Sequence, residues 1–196
     1  MRRLVILFTI ISILFCFLNI NAYADSLKAY RDIYFKDSPK TVSQKIRNDE
    51  EIKTQLFGVN PHVKIGDYRY WLSFEYYQDQ LYKVVFKSDS SSASYFNTYT
   101  QRYYNTLANT ILEKYGPPKY SRKLTILDMD TGFINWGRIW EEEETDSNKI
   151  YKIGIGENYE YKYYAVMQII YKPLQDEKEK AESVNSKSAE DSANDF

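Results

Sequence analysis

Residues 68–86, YRYWLSFEYYQDQLYKVVF, contain the pattern around which the rest of the chain can be organised. In their first half, bulky residues recur at the two-residue period of a strand that buries one face, and these are Tyr68, Tyr70, Leu72, Phe74 and Tyr76. The polar residues 78–80 predict a turn, after which the alternation resumes at Tyr82, Val84 and Phe86. The stretch therefore predicts an antiparallel hairpin with one apolar face, which another element must cover.

The residues after this hairpin predict a helix that can supply the cover. Between residues 94 and 115, bulky side chains follow helical spacing, at Phe96, Tyr99, Tyr103, Leu107, Ile111 and Tyr115. Gly116-Pro117-Pro118 predicts the end of this helix, because proline cannot continue a helix and glycine favours the conformation that closes one. An earlier helix is predicted from Ser38, which can cap it, and from Pro39, which suits the first helical position.

Further strands are predicted at 120–127, 133–143 and 151–155, and the clearest alternation in the chain occupies 161–171. Beyond Lys172 the composition changes to Lys, Glu, Ser, Asp and Asn, which bury too little apolar surface to fold. We therefore predict a single α+β domain at 25–173, a twisted antiparallel sheet packed by two helices on one face. A disordered, charged tail is predicted at 174–196, with a frayed helix as the alternative.

The N-terminal residues have the pattern of a secretory signal peptide at 1–24. Arg2 and Arg3 precede an uncharged apolar core at 4–18, and Ala22-Tyr23-Ala24 fits the small-x-small cleavage pattern. We expect cleavage before Asp25 and export to the periplasm or the extracellular space. An uncleaved anchor is the alternative, although the apolar core is shorter than the roughly 20 residues that a membrane span needs. Lipid attachment at Cys16 is disfavoured, because Leu14, Phe15 and Phe17 surround it.

Composition excludes several kinds of chemistry. Cys16 is the only cysteine, so the exported chain would have no disulfide, no thiol nucleophile and no zinc–thiolate site. The 26 Lys and Arg residues are balanced by 27 Asp and Glu residues, which leaves no basic footprint for nucleic acid.

Individual motifs that could carry catalysis or bind a metal have simpler explanations. His62 is the only histidine, it is expected in a surface loop, and no Gly-x-Ser-x-Gly elbow accompanies it. Asp128, Asp130 and Gly132 resemble part of a calcium loop, but a turn explains them as well. Glutamates 141–144 are expected to be a solvated strand end rather than a carboxylate pair for glycoside hydrolysis. We therefore expect no catalytic residue, no metal and no cofactor.

Gly154-Ile155-Gly156 could suggest a phosphate-binding loop. These residues lie within an alternating strand, and no helix follows them. Close packing between strands is the better interpretation.

The aromatic content is the one unusual feature, with 20 Tyr, 10 Phe and 3 Trp. In the adjacent pairs 76–77, 103–104 and 163–164, we expect one ring to face the core and the other to face outward. The outward rings could form a binding surface for protein, glycan or peptide, and the candidate residues are Trp71, Tyr77, Tyr104, Trp140 and Tyr164. Alternatively, these rings pack against a helix or the tail, or are scattered over the surface.

A weak internal repeat accompanies these features. Phe57-Gly58 follows the first helix and precedes the strand of Trp71, while Tyr115-Gly116-Pro117 ends the second helix and precedes the strand of Trp140. This helix, glycine stop and tryptophan strand layout resembles the small bacterial envelope proteins of the BamE-like family. The resemblance implies an envelope protein that binds other proteins and carries no catalytic residues. The sequence thus favours a non-catalytic exported protein with an envelope protein partner, bound through exposed aromatics and sheet edges, and leaves a glycan or small-ligand binding module as the alternative.

Overall fold

The computed structural model describes residues 27–52, 61–141 and 148–194. It contains an antiparallel sheet of seven strands, a separate two-stranded hairpin and three α-helices within those residues. The predicted α+β fold class, with a large antiparallel sheet, is confirmed. The predicted signal segment 1–24 lies outside the described residues.

The strands are β1 (Lys28–Tyr30), β2 (Ile33–Tyr34), β3 (His62–Ile65), β4 (Tyr68–Tyr77), β5 (Gln80–Lys87), β6 (Tyr120–Ser121), β7 (Ile134–Glu141), β8 (Lys149–Glu157) and β9 (Tyr163–Tyr171). The helices are α1 (Pro39–Asn48), α2 (Gln101–Tyr115) and α3 (Lys172–Asn194), and a π-helical turn at Phe96–Thr100 leads into α2. The large sheet has the order β3-β4-β5-β9-β8-β7-β6, and β1 pairs with β2 in the separate hairpin.

The core lies on the face of the sheet that α2 and the β1–β2 hairpin cover, which we call the inner face. Tyr70, at the centre of the β4 pattern, is 0% exposed, and its hydroxyl donates to the backbone carbonyl of Tyr103 on α2 at 2.9 Å. The ring of Tyr30 meets that of Phe86 edge-on at 5.0 Å between ring centres. A buried tyrosine at the centre of the core is thus satisfied by a helix carbonyl rather than by water.

The ends of α1 and α2 follow the predicted local chemistry. Ser38 accepts a hydrogen bond from the backbone N–H of Thr41, and Pro39 occupies the first turn of α1. Gly116 closes α2 with a φ of 75°, a left-handed value that favours glycine. The first helix ends at Asn48, and residues 53–60 lie outside the described part.

Two predictions about the second half of the chain are corrected. The strand expected at 120–127 is only two residues long, because Thr125 and Asp128 form a capping box that starts a 3₁₀ turn at Ile126–Asp128. The helix–strand–strand repeat is not supported. Trp71 lies in the middle strand of the β3–β4–β5 meander, whereas Trp140 lies in the first strand of the β7–β8–β9 meander. The two side chains also face opposite sides of the sheet.

Residues Lys172–Asn194 form helix α3, which agrees with the frayed helix that the sequence left as the alternative to a disordered tail. Leu174 is 4% exposed, and the first half of α3 lies against β4, β5 and β9. Lys172 with Asp176, and Lys178 with Glu182, form ion pairs one helical turn apart. One buried leucine and these pairs therefore support a helix in a segment that has few other apolar residues. Among the helices of the described residues, not one combines the length and apolar character that a bilayer-spanning segment requires.

Candidate functional site

The face of the sheet opposite the core carries a continuous row of side chains across five strands. Cross-strand pairing places Trp71 of β4 beside Lys87 of β5, then Val166 of β9, Gly154 of β8 and Trp136 of β7. We call this side of the sheet the outer face, and these five residues the outer row. Strands lie about 4.8 Å apart, so four spacings separate the two tryptophans by roughly 19 Å. The outer row is therefore a broad strip rather than a closed pocket.

At one end of the outer row, the indole of Trp71 is fixed by a small polar network. Its Nε1–H donates to Oδ1 of Asp89 at 2.6 Å, and a guanidinium nitrogen of Arg69 donates to Oδ2 of the same carboxylate at 3.1 Å. The guanidinium carbon of Arg69 also lies 4.9 Å from the centre of the indole. The tryptophan is thus half-buried but held in one orientation, with part of its ring facing solvent.

His62 belongs to the same end of the outer row. It is the first residue of β3, it pairs with Trp71, and the centres of the two rings are 5.2 Å apart. Its Nδ1 is buried without a hydrogen-bond partner in the described residues. The expected surface-loop histidine is therefore a half-buried residue of an edge strand that supports the indole.

At the other end, two glycines leave room for their neighbours. A Cβ on Gly156 would lie 2.4 Å from Cζ of Tyr164, whereas a Cβ on Gly154 would lie 2.5 Å from the backbone oxygen of Asn135 and 3.0 Å from Cε3 of Trp136. A side chain at position 156 would occupy the space of the Tyr164 ring, and one at position 154 would clash first with the backbone of β7. The close packing between strands that the Gly154-Ile155-Gly156 sequence predicted is therefore found at Gly154, and at Gly156 an aromatic ring packs against the glycine.

Two lysines lie over these rings. Nζ of Lys87 is 3.8 Å from the centre of the Tyr164 ring, and Nζ of Lys152 is 5.9 Å from that of Trp136. Partial burial lowers the pKa of Lys87 below its usual value. Within the described residues, neither lysine forms an ion pair with a carboxylate. The middle of the outer face therefore presents positive charge over aromatic rings.

A second row on the outer face, next to the first, is smaller and more polar. Its members, in order across the strands, are Ser73, Val85, Gln168, Lys152 and Ile139. Each of them is partly or fully exposed. This row adds hydrogen-bonding groups beside the aromatic rings.

Helix α3 closes one side of the outer face. Glu75 accepts hydrogen bonds from the hydroxyl of Tyr82 at 2.7 Å and from Nζ of Lys83 at 2.9 Å, and Nζ of Lys178 on α3 lies 5.9 Å from the centre of the Tyr82 ring. Burial alone would raise the pKa of Glu75, but the two hydrogen bonds and the nearby ammonium groups lower it. Next to this contact, Tyr77 and α3 line a shallow groove of about 440 Å³.

The five predicted binding residues do not lie on one common surface. Trp71 and Tyr164 lie half-buried on the outer face, and Tyr77 lies in the groove beside α3. The expected outward position of Tyr104 and Trp140 is corrected, because they are only 5% and 4% exposed.

The burial of Tyr104 and Trp140 has identifiable causes. Neighbouring residues on a helix are about 100° apart, so Tyr103 and Tyr104 both fall within the wide apolar stripe of α2. The Nε1–H of Trp140 donates to the carbonyl oxygen of Gly116 at 2.8 Å, which ties the indole to the end of α2. Both side chains are therefore structural.

Trp136 was missed by the sequence analysis, although it lies in the outer row. Trp136 and Trp140 are four residues apart, and a regular strand would place them on the same face. The register of β7 shifts at Gly137, so the two indoles lie on opposite faces. A glycine within a predicted strand was the available signal for this bulge.

The acidic motifs have structural roles where they are described. The carboxylate of Asp128 accepts hydrogen bonds from the backbone N–H and the hydroxyl of Thr125, both at 2.7 Å. Glu141 pairs with Lys119 at 2.8 Å, and glutamates 142–144 lie outside the described residues.

Comparisons with protein-family models, with curated proteins and with solved structures found no match to this chain.

Proposed function

We propose that this chain is a non-catalytic exported envelope protein that binds a protein partner through the outer face of its sheet. The observation that carries the proposal is the outer row, in which two tryptophans and a lysine lie on one side of five neighbouring strands. Tryptophan and tyrosine are enriched among the residues that dominate the energy of protein interfaces. A broad strip of roughly 19 Å matches such an interface better than it matches a small-molecule pocket.

The positions of the cations favour a protein over a glycan. A sugar ring stacks on an exposed aromatic face, but the ammonium group of Lys87 lies only 3.8 Å from the centre of the Tyr164 ring. Arg69 similarly lies against Trp71. A protein partner can use such cations directly, since its carboxylates can pair with them while its apolar groups contact the rings.

The charge of the outer face indicates the chemistry of the partner surface. Lys87 and Lys152 have no carboxylate partner among the described residues, and both lie beside aromatic rings. A partner that combines acidic and apolar side chains would complement this pattern. The edge strand β3 lies next to Trp71, so an extended segment of the partner could also pair along that edge.

Glycan binding is a second candidate, favoured by one observation. Trp136 is covered less closely than Tyr164, with its lysine at 5.9 Å, and Gln168 and Ser73 provide polar groups in the adjacent row. Sugar binding typically combines such a ring with hydrogen-bonding side chains.

The test is mild crosslinking of intact cells that express a tagged copy of the chain, followed by capture of the tagged protein. We expect one dominant protein partner, which is lost when Lys87 is changed to Glu. The matched control is Arg102→Glu, the same change of charge at an exposed position on α2.

Recovery of the protein alone would contradict the protein-partner proposal, and so would equal capture by the two variants. Screening of the purified protein against a glycan panel then tests the second candidate. Glycan binding that disappears in Trp136→Ala would establish that function in place of the first.

A further inference from the structure

The exposed apolar side chains of the described residues are concentrated at one end of the sheet. The last residues of β5 and β8 lie at the same end of this antiparallel sheet as the first residues of β7 and β9. The connections 88–95, 122–133 and 158–162 meet at that end, which we call the loop end. It carries six of the nine large apolar side chains that are exposed in the described residues, namely Tyr95, Ile126, Leu127, Phe133, Tyr159 and Tyr161.

Four of these side chains are largely exposed to solvent. Leu127 is 93% exposed, Tyr159 is 85% exposed, and Phe133 and Tyr161 are each 69% exposed. Single exposed apolar residues are ordinary, but a group of them on neighbouring loops marks an interaction surface.

The connections at the loop end are tied to one another. Ser91 and Tyr163 exchange two backbone hydrogen bonds of 2.8 Å, and the N–H of Gly132 donates to the carbonyl of Glu157 at 2.9 Å. A Cβ on Gly132 would lie only 3.0 Å from the hydroxyl of Tyr159. The exposed rings are therefore presented together on a defined surface.

Most backbone N–H groups of the most exposed loop are paired within the loop. The side-chain oxygen of Asn158 accepts from the N–H groups of Glu160 and Lys162, at 3.0 and 2.9 Å. The N–H of Tyr161 donates to the carbonyl of Asn158 at 3.0 Å, and Tyr161 is held in the left-handed region at a φ of 57°. Pairing of these donors lowers the free-energy cost of removing this part of the loop from water.

Charges at the loop end largely balance one another. Glu160 pairs with Lys162 at 2.7 Å, and Arg69 pairs with Asp89 at 3.1 Å. In the connection 122–133, the two cations Arg122 and Lys123 are matched in number by Asp128 and Asp130. The surface therefore has no excess of positive charge that would attract an anionic membrane.

We propose that the loop end inserts into the interfacial layer of a lipid bilayer and so holds the protein at a zwitterionic membrane surface. Phenylalanine and leucine would enter the acyl boundary, while the tyrosines would remain at headgroup level with their hydroxyls in water. A lipid interface accepts projecting side chains of any outline, whereas a protein partner would need a concave apolar receptor that matches them. The inference does not depend on the outer face, since none of the six exposed apolar side chains of the loop end belongs to the outer row.

The test is flotation of the whole chain with phosphatidylcholine vesicles, in comparison with the double variant Phe133→Ser and Tyr159→Ser. We expect the variant to need about fivefold more lipid for half-maximal binding, because two anchoring rings are lost. Tyr120→Ser, at an aromatic position of 45% exposure on β6, is the matched control and should bind like the unmodified chain. Residues 1–26 are identical in all three proteins, so any binding by that segment is common to them.

Circular dichroism of each variant verifies the fold, which substitutions at side chains this exposed should preserve. Absence of flotation at lipid excess, or equal flotation of the double variant, would overturn the proposal. Binding that occurs only when phosphatidylglycerol is added would also overturn it, because the lysines would then carry the interaction. Loss of a protein crosslink in the double variant, without any vesicle binding, would reassign the loop end to a protein partner.

Discussion

Aromatic side chains that lie on glycines are the residue-scale feature that shapes the outer face. Gly156 leaves room for the ring of Tyr164, whose Cζ would be 2.4 Å from an added Cβ. The glycine thus acts through the space that it leaves, and the position of the ring depends on it. This dependence gives a direct test.

Gly156→Ala should lower the free energy of unfolding by about 1–3 kcal/mol, because the new methyl group displaces a packed ring. In a Tyr164→Ala background the same substitution should cost much less, since the ring is already absent. Urea unfolding of the four proteins in this double-mutant cycle measures the difference. An equal cost in the two backgrounds would contradict the described packing.

The two tryptophans predicted to bind should respond differently to substitution by phenylalanine. Trp140→Phe removes the hydrogen bond to Gly116 and shrinks a side chain that is only 4% exposed, so we expect a loss of about 1–3 kcal/mol in the free energy of unfolding. Trp71→Phe removes a bond to Asp89, a carboxylate that water can reach, and should cost less than about 1 kcal/mol. Chemical denaturation measures both losses. A larger loss for Trp71→Phe than for Trp140→Phe would contradict the structural role assigned to Trp140.

Helix α3 is the element whose packing most needs a test, because its composition predicted a disordered tail. Leu174→Ala should destabilise the protein by about 2–4 kcal/mol, since it removes a side chain that is only 4% exposed. Val184→Ala, at a position of 60% exposure on the same helix, should change the free energy of unfolding by less than about 0.5 kcal/mol. Thermal or urea unfolding distinguishes the two. If both variants match the unmodified chain, α3 does not pack on the sheet in solution.

The β4–β5 hairpin contains a carboxylate that should make its stability depend on pH. The pKa of Glu75 is lower in the folded chain than its usual value, so its ionised form is favoured by folding. Its contribution is therefore present above the unfolded pKa, near 4.3, and is lost as the pH falls through the folded pKa. Between pH 7 and pH 3, Glu75→Gln should lose less free energy of unfolding than the unmodified chain, and an identical loss would contradict the assigned hydrogen bonds.

Local patterns were sufficient to predict the central hairpin and the helix that covers it. Alternation at residues 68–86 predicted β4 and β5, and helical spacing with Gly116 predicted α2 and its end. The bulge at Gly137 could not be located in the same way, because it depends on the packing of Tyr104 and Leu124 against that position. A shift of one residue moves every later side chain to the other face of the sheet. A regular alternation therefore could not predict that Trp136 faces outward while Trp140 is buried.

The candidate site was predicted only in part for a related reason. Trp71 and Tyr164 follow directly from the two-residue period of their strands. Lys87, Lys152 and Trp136 become neighbours of these rings only through the order of the strands in the sheet. That order is a long-range property, and no segment of the sequence contains it by itself.

At the scale of the whole molecule, the fold separates three surfaces. The inner face is occupied by α2 and the β1–β2 hairpin, the outer face presents aromatic rings under lysines, and the loop end presents projecting apolar side chains. A protein held at a membrane by its loop end would direct its sheet faces sideways, toward a neighbouring protein. The two proposals are therefore compatible in one molecule, although each is tested separately.

The most direct test of the central claim is site-specific photocrosslinking from position 73 in living cells. A photoreactive residue in place of Ser73, an exposed position in the second row of the outer face, leaves Lys87 and Trp71 unchanged, and the same residue in place of Arg102 on α2 is the control. We predict one crosslinked protein partner from position 73, none from position 102, and loss of the product when Trp71→Ala is added. No product from position 73, or the same product from both positions, would contradict the account.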